Sequence, residues 1–140
     1  MPHLDGLIQF YNSFAPASVA RFADFYSADA YFKDPFNEVH GIVAIQRIFS
    51  HMFTQVDRPG FRVTEHVADA NGAMLVWEFH FQFKGKPQPH VLHGSSHLKF
   101  DADGKVRYHR DYWDTTEELY MKLPLIGPVL RALYRRFASV

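Results

Sequence analysis

Tyr26-Ser27-Ala28-Asp29-Ala30-Tyr31-Phe32-Lys33-Asp34-Pro35-Phe36 is the stretch on which the fold turns. Its second half, Ala30–Lys33, is β-prone and stops at Asp34-Pro35, where proline cannot donate to a strand ladder. A short strand is therefore expected between helices. Upstream, Leu4, Leu7, Ile8, Tyr11 and Phe14 recur at helical spacing, which predicts a helix over His3–Phe14 ended by Pro16. Ser18 can cap a second helix that turns Val19, Phe22, Ala23 and Tyr26 inward. Downstream, Gly41 precedes a third helix with Ile42, Ile45, Phe49, Met52, Phe53 and Val56 as its apolar face, closed by Pro59-Gly60.

Four longer strands are expected next. Phe61–Ala68 and Ala73–Phe83 flank Asn71-Gly72, a strong hairpin signal. Lys84-Gly85-Lys86-Pro87 turns the chain into Val91–Phe100, and Asp101-Ala102-Asp103-Gly104 turns it into Lys105–Trp113. Thr115-Thr116-Glu117-Glu118 reads as a capping box for a helix over Thr116–Lys122. Pro124 and Gly127-Pro128 break it before a last helix, Val129–Phe137. This order is an α+β pattern, with N-terminal helices packed on a curved antiparallel sheet and an extra C-terminal helix.

The 140 residues suit one domain over 1–140, with a core at about 4–114 and a helical extension at about 115–140. Apolar residues make up 47% and aromatics 16%, with Phe present 14 times, so a packed core is expected rather than disorder. Lys+Arg and Asp+Glu are both 15, so no basic face invites nucleic acid. The absence of cysteine excludes disulfides and thiolate zinc sites. Met1–Gly6 lacks the pattern of a signal peptide, and no apolar run reaches the ~20 residues of a membrane span, so a cytoplasmic location is expected.

Tyr26–Phe36 resembles the start of ketosteroid isomerase and its SnoaL-like polyketide cyclase relatives. Gly72-Ala73-Met74, Phe100-Asp101-Ala102-Asp103-Gly104 and Tyr112-Trp113 resemble later strands of the same group. Arg110-Asp111-Tyr112-Trp113-Asp114, followed by Leu123-Pro124-Leu125, is similar to limonene-epoxide hydrolase on the same fold. The resemblance spans about residues 4–127. It implies a nuclear transport factor 2-like cone, or cystatin-like roll, around one small-molecule pocket, working without cofactor or metal.

By that resemblance Asp34 falls at the general base of the isomerase, while an Asp-Pro step also makes a turn by itself. The oxyanion-binding tyrosine is matched by Phe10, with Tyr11 adjacent, and the protonated aspartate by Ser96. The loss of both donors counts against steroid isomerisation. Asp111 matches one of the two hydrolase aspartates, and the remaining two triad members fall on Glu78 and His80. Without the arginine between the acids, standard epoxide hydrolysis is not expected.

Strand alternation gives an independent reading. Taking registers from the two turns, Glu78 lies beside Gly94 and Gly94 beside Asp111, with Val76, Ser96 and His109 in the next row. Glu78, His80, Ser96, His109, Asp111 and Trp113 would then share the cavity face, and Leu75, Trp77, Phe79 and Phe81 the convex face, ready for a homodimer contact. Glu78 and Asp111 would share a proton over Gly94, with His80 or His109 as relay. Structural hydrogen bonds, or a wet rim, are the plainer reading of the same residues. Metal ligation by Glu78-x-His80 and His109-x-Asp111 is conceivable in chemistry but matches no known spacing, and none is expected.

Such a polar wall would take a small, oxygen-rich ligand whose apolar end stacks on Trp113. The C-terminal stripe of Val129, Leu130, Leu133, Tyr134 and Phe137 opposes Arg131, Arg135 and Arg136. Packing on its own domain or on a dimer mate is expected above membrane contact. The leading expectation is a cofactor-independent acid–base enzyme of isomerase, cyclase, dehydratase or epoxide-hydrolase type. Asp34, Glu78, His80 and Asp111 would be catalytic, and Tyr11, Ser96, His109 and Trp113 would bind the ligand. The alternative is a non-catalytic ligand-binding or protein-interaction module on the same fold.

Overall fold

Helix α1 (Pro2–Asn12) buries Leu4, Leu7, Phe10 and Tyr11 along one face, as the spacing predicts, in a computed structural model that describes residues 2–138. A 3₁₀ turn over Pro16–Arg21 and a single helical turn, α2 (Phe22–Phe25), lead directly into β1 (Tyr26–Lys33). Strand β1 thus begins at Tyr26, not Ala30, and Tyr26 leaves the second helix for the sheet. A three-residue strand, β2 (Glu38–His40), pairs with the end of β1 and carries no sequence signal of its own.

Helix α3 (Ile42–Gln55) turns Ile45 and Phe49 into the core. It ends earlier than Pro59-Gly60, because Val56 already pairs with Phe83 in β3 (Val56–Asp69). Pro59 and Gly60 lie inside β3 at an irregularity between Asp57 and Gly60, where Arg58 adopts a φ of 50°. A proline is tolerated there because β3 is an edge strand. Strands β4 (Gly72–Phe83), β5 (Pro89–Phe100) and β6 (Val106–Tyr112) complete a six-stranded sheet in the order β2-β1-β6-β5-β4-β3. Neighbours run antiparallel except β1 and β6, which are parallel.

The register of β4 overturns the expected placement of two acids and bases. Trp77, not Glu78, pairs with Gly94, and Gln82 pairs with Pro89. The chain reverses at a turn closed by Lys86 N–H to Phe83 C=O, with Gly85 at a φ of 73°. A one-residue slip exchanges the two faces of a strand. Leu75, Trp77 and Phe81 are buried on the concave side, and Val76 and His80 stand outside. The apolar set expected to meet a second subunit is therefore part of the core. Between β5 and β6 the register differs by two residues, with Ser96 opposite Asp111, so those faces stay as expected.

Asp114 caps α4 (Thr115–Glu118) by accepting from the N–H groups of Thr116 and Glu117. A 3₁₀ turn at Tyr120–Lys122 follows, then α5 (Ile126–Phe137), which starts three residues before the expected Val129. Most of the stripe of α5 is not covered by the rest of the chain: Val129, Leu133, Tyr134 and Phe137 are exposed, and Leu130 is half-buried. No helix among the described residues is long and apolar enough to cross a membrane.

Candidate active site

Between α3 and the concave side of the sheet lies a cavity of about 280 Å³. Its walls are mainly apolar: Phe49 and Met52 of α3 face Leu75, Trp77, Phe79 and Phe81 of β4. The polar wall expected from Glu78 and His80 is absent, because the β4 register turns both outward. Their side chains meet each other there, with His80 Nε2 3.0 Å from Glu78 Oε1 and Arg62 4.0 Å from the same oxygen. Glu78-x-His80 and His109-x-Asp111 thus lie on opposite faces and cannot share an ion or a proton.

One line of polar groups crosses this apolar hollow. The hydroxyls of Tyr11 and Tyr26 are 2.5 Å apart, and Tyr26 Oη lies 2.6 Å from His109 Nδ1. His109 Nε2 lies 2.6 Å from Asp111 Oδ1, which also accepts a 2.5 Å hydrogen bond from Ser96 Oγ. Trp77 Nε1 donates to Ser96 Oγ at 2.8 Å. The parallel pairing of β1 and β6 sets Phe32 beside His109, and a register irregularity before it brings Tyr26 under the imidazole. Gly94 makes room for the indole: a Cβ there would come within 2.5 Å of Trp77 Cζ2. The space that glycine leaves in β5 is filled by Trp77, not by a ligand.

Proton bookkeeping fixes the polarity of the line. An indole N–H only donates, so Ser96 accepts from Trp77 and spends its own proton on Asp111. Burial pushes the Tyr11 and Tyr26 phenols far above their usual range, so both keep their protons at neutral pH. With a neutral imidazole, His109 donates from Nε2 to Asp111 and accepts at Nδ1 from Tyr26, which accepts from Tyr11. Every proton then points toward Asp111 Oδ1. The side chain of His109 is 4% exposed and that of Asp111 16%, so the pair sits in a dry setting with the acid nearer the opening.

Asp34 and Trp113 border the mouth, which continues into a shallower outer hollow beside Lys33 and Arg110. Asp34 Oδ1 accepts from the N–H groups of Phe36 and Asn37, and the Asn37 amide bonds both of its carboxylate oxygens. That is the chemistry of a turn maker. The turn sets Phe36 edge-on to Trp113, with ring centroids 5.6 Å apart. Leu119, from the segment after β6, also reaches the cavity.

Of the residues singled out in the sequence, Tyr11, Ser96, His109 and Asp111 come together, Asp34 and Trp113 lie at the mouth, and Glu78 and His80 lie outside. Sequence reasoning missed Tyr26 and Trp77. No spacing rule could pair Tyr26 with His109, 83 positions away. Trp77 was discoverable, since it alternates with Leu75, Phe79 and Phe81 as the apolar face of β4, and an apolar strand face normally points inward.

Among solved structures, the chain is similar to a nuclear transport factor 2-like protein of unknown function from Burkholderia pseudomallei. The two share 13% identity over 84% of this chain and 94% of that one, with a TM-score of 0.73. It is also similar to a hypothetical protein with a ketosteroid isomerase-like fold from Catenulispora acidiphila, solved in complex with trimethylamine, at 13% identity over 84% and 88% with a TM-score of 0.70. TerC, co-crystallised with polyporic acid, gives 14% identity over 84% and 95% with a TM-score of 0.72. At these identities the likeness is one of fold. No curated protein matches the chain in sequence. Residues 7–109 match the SnoaL-like domain, and the chain belongs to that family.

Proposed function

We propose that the chain is a cofactor-independent acid–base enzyme acting on a small, largely apolar molecule that carries a carbonyl or hydroxyl oxygen. The observation that carries this reading is the hydrogen-bonded line from Tyr11 to Trp77, set in a cavity otherwise lined by hydrocarbon and aromatic rings. Asp111 is the group that exchanges a proton with substrate. Both nitrogens of His109 are engaged, whereas Oδ2 of Asp111 has no hydrogen-bond partner among the described residues. His109 and Ser96 are positioning residues that hold Oδ1 and stabilise the carboxylate away from water.

Tyr11 meets the oxygen of the ligand. With neutral His109 its lone pairs face the cavity. A second proton on His109 reverses both tyrosine hydrogen bonds and turns the Tyr11 O–H inward. In that protonation state the Tyr11 O–H can donate to a carbonyl oxygen while Asp111 Oδ2 takes a proton from the adjacent carbon and returns the same proton to another carbon, with His109 keeping both of its protons throughout. Asp34 contributes by shaping the Phe36–Trp113 mouth. The resemblance of the fold to proteins crystallised with trimethylamine and polyporic acid supports a ligand-binding cavity here.

A thermal-shift screen of small carbonyl and epoxide compounds, followed by solvent-deuterium incorporation into any stabilising compound, tests the proposal. Asp111→Asn should keep binding and lose deuterium exchange by at least ~100-fold. Either full exchange by Asp111→Asn, or a wild type stabilised by no compound, would overturn it.

A further inference from the structure

We infer that α5 is an interfacial helix that docks on an anionic lipid bilayer. At roughly 100° per residue, Ile126, Val129, Leu130, Leu133, Tyr134 and Phe137 gather within an arc of about 140° on one side of the helix. Of these, Val129 is 67% exposed and Phe137 80%, and the preceding Leu125 is 88% exposed. The helix is held along one flank of this arc. Gly127 is buried so close under the Met121 carbonyl that a side chain would collide with it, and Arg131 Nη1 donates to that same oxygen at 2.7 Å. Leu130 is half-buried, while Val129, Leu133, Tyr134 and Phe137 stand exposed.

Charge selects the occupant. From Ile126 to Phe137 the helix carries Arg131, Arg135 and Arg136 and no acidic residue. Two copies of such a helix, paired along their stripes, would bring arginines together with no carboxylate on either helix to offset them. An anionic headgroup layer supplies the missing charge, while Leu133, Tyr134 and Phe137 enter the acyl boundary. With 12 residues the helix is too short to span a bilayer, which takes ~20, so it lies in the plane of the surface. The inference rests on α5 alone and stands apart from the chemistry of the cavity.

Flotation of the full chain with vesicles is the test. Vesicles of phosphatidylcholine and phosphatidylserine in equal parts are compared with phosphatidylcholine alone, at low and high salt. The protein should float with the anionic vesicles at low salt, weaken about tenfold or more at high salt, and stay behind with the neutral ones. Leu133→Glu combined with Phe137→Glu should abolish flotation, and Arg135→Glu with Arg136→Glu should reduce it about tenfold or more. These side chains are exposed, so the circular dichroism spectrum and urea midpoint of each variant should match the wild type. The inference is overturned if the wild type ignores anionic vesicles or binds neutral ones equally. It is likewise overturned if light scattering shows a dimer that Leu133→Glu dissociates, which would assign the stripe to a second copy.

Discussion

Tyr26→Phe isolates the central link of the polar line. The ring has reason to stay in place: it packs edge-on to Phe22 at 5.3 Å and stacks on His109 at 5.9 Å, and neither contact needs the hydroxyl. What is lost is one oxygen that accepts from Tyr11 and donates to His109 Nδ1. The two losses are unequal. Tyr11 lines the cavity, where water can replace its partner. His109, with a side chain 4% exposed, has no such recourse, and a buried acceptor without a donor costs about 1–3 kcal/mol. Adding ~1 kcal/mol for the tyrosine pair gives a total of about 2–4 kcal/mol. Tyr11→Phe removes only the outermost hydroxyl and leaves the Tyr26–His109 bond intact, so it should cost about 1 kcal/mol. The double variant should cost little more than Tyr26→Phe alone, because the second hydroxyl has already lost its partner. Urea unfolding at neutral pH, with the slope unchanged, reads all three. If Tyr26→Phe costs no more than Tyr11→Phe, the line is not a connected structure and its proton polarity falls with it.

Two further outcomes follow from the structure. Gly94→Ala should push the Trp77 indole off Ser96 and cost about 1–3 kcal/mol, read by urea unfolding and by a change in tryptophan emission; an unchanged spectrum and midpoint would contradict the packing. At the far edge of the sheet, the Tyr31 hydroxyl donates to Glu38 Oε2 at 2.6 Å, holding that carboxyl below its usual 4.5 and pushing the phenol up to about 12. The lowered acid adds stability above its ordinary value, lost as pH falls through the folded value; the raised phenol adds stability below 10.0, lost as pH rises toward about 12. In a carboxyl NMR titration, Tyr31→Phe should return the Glu38 midpoint toward 4.5, and no movement would show that the hydrogen bond is not the cause.

Much of the fold was legible because its signals are local. The 3.6-residue spacing of Leu4, Leu7 and Tyr11 and the Asn71-Gly72 reversal each act within a few residues. The failures are of two physical kinds. One is competition between neighbouring signals. Pro59-Gly60 reads as a helix stop, yet the helix has already ended and an edge strand tolerates both residues at a bulge. The other is parity. A five-residue connection between Phe83 and Pro89 does not declare which residue sits at its centre, and the unit of error is a whole face of β4.

That parity error also explains why only part of the site could be read. Family position drew Glu78 and His80 toward the cavity, while the alternation of Leu75, Trp77, Phe79 and Phe81 argued for the opposite assignment on energetic grounds. Turning four large apolar side chains to solvent so as to bury an acid and a histidine would forfeit roughly 1.5–3 kcal/mol for each large side chain exposed. It would also incur the desolvation of the acid. Burial therefore outweighs positional resemblance for β4. On β6 the two do not compete: His109 and Asp111 are polar, they share the parity of Ser96, and each finds its partners within the cavity. A polar pair survives inside an apolar hollow only when neighbouring strands satisfy it, and here Tyr26, Ser96 and Trp77 do so. The dependence runs both ways. The register that expels Glu78 is the one that places Trp77 over Gly94, within reach of Ser96, so the acid that remains at Asp111 is held by the slip that removed its expected partner.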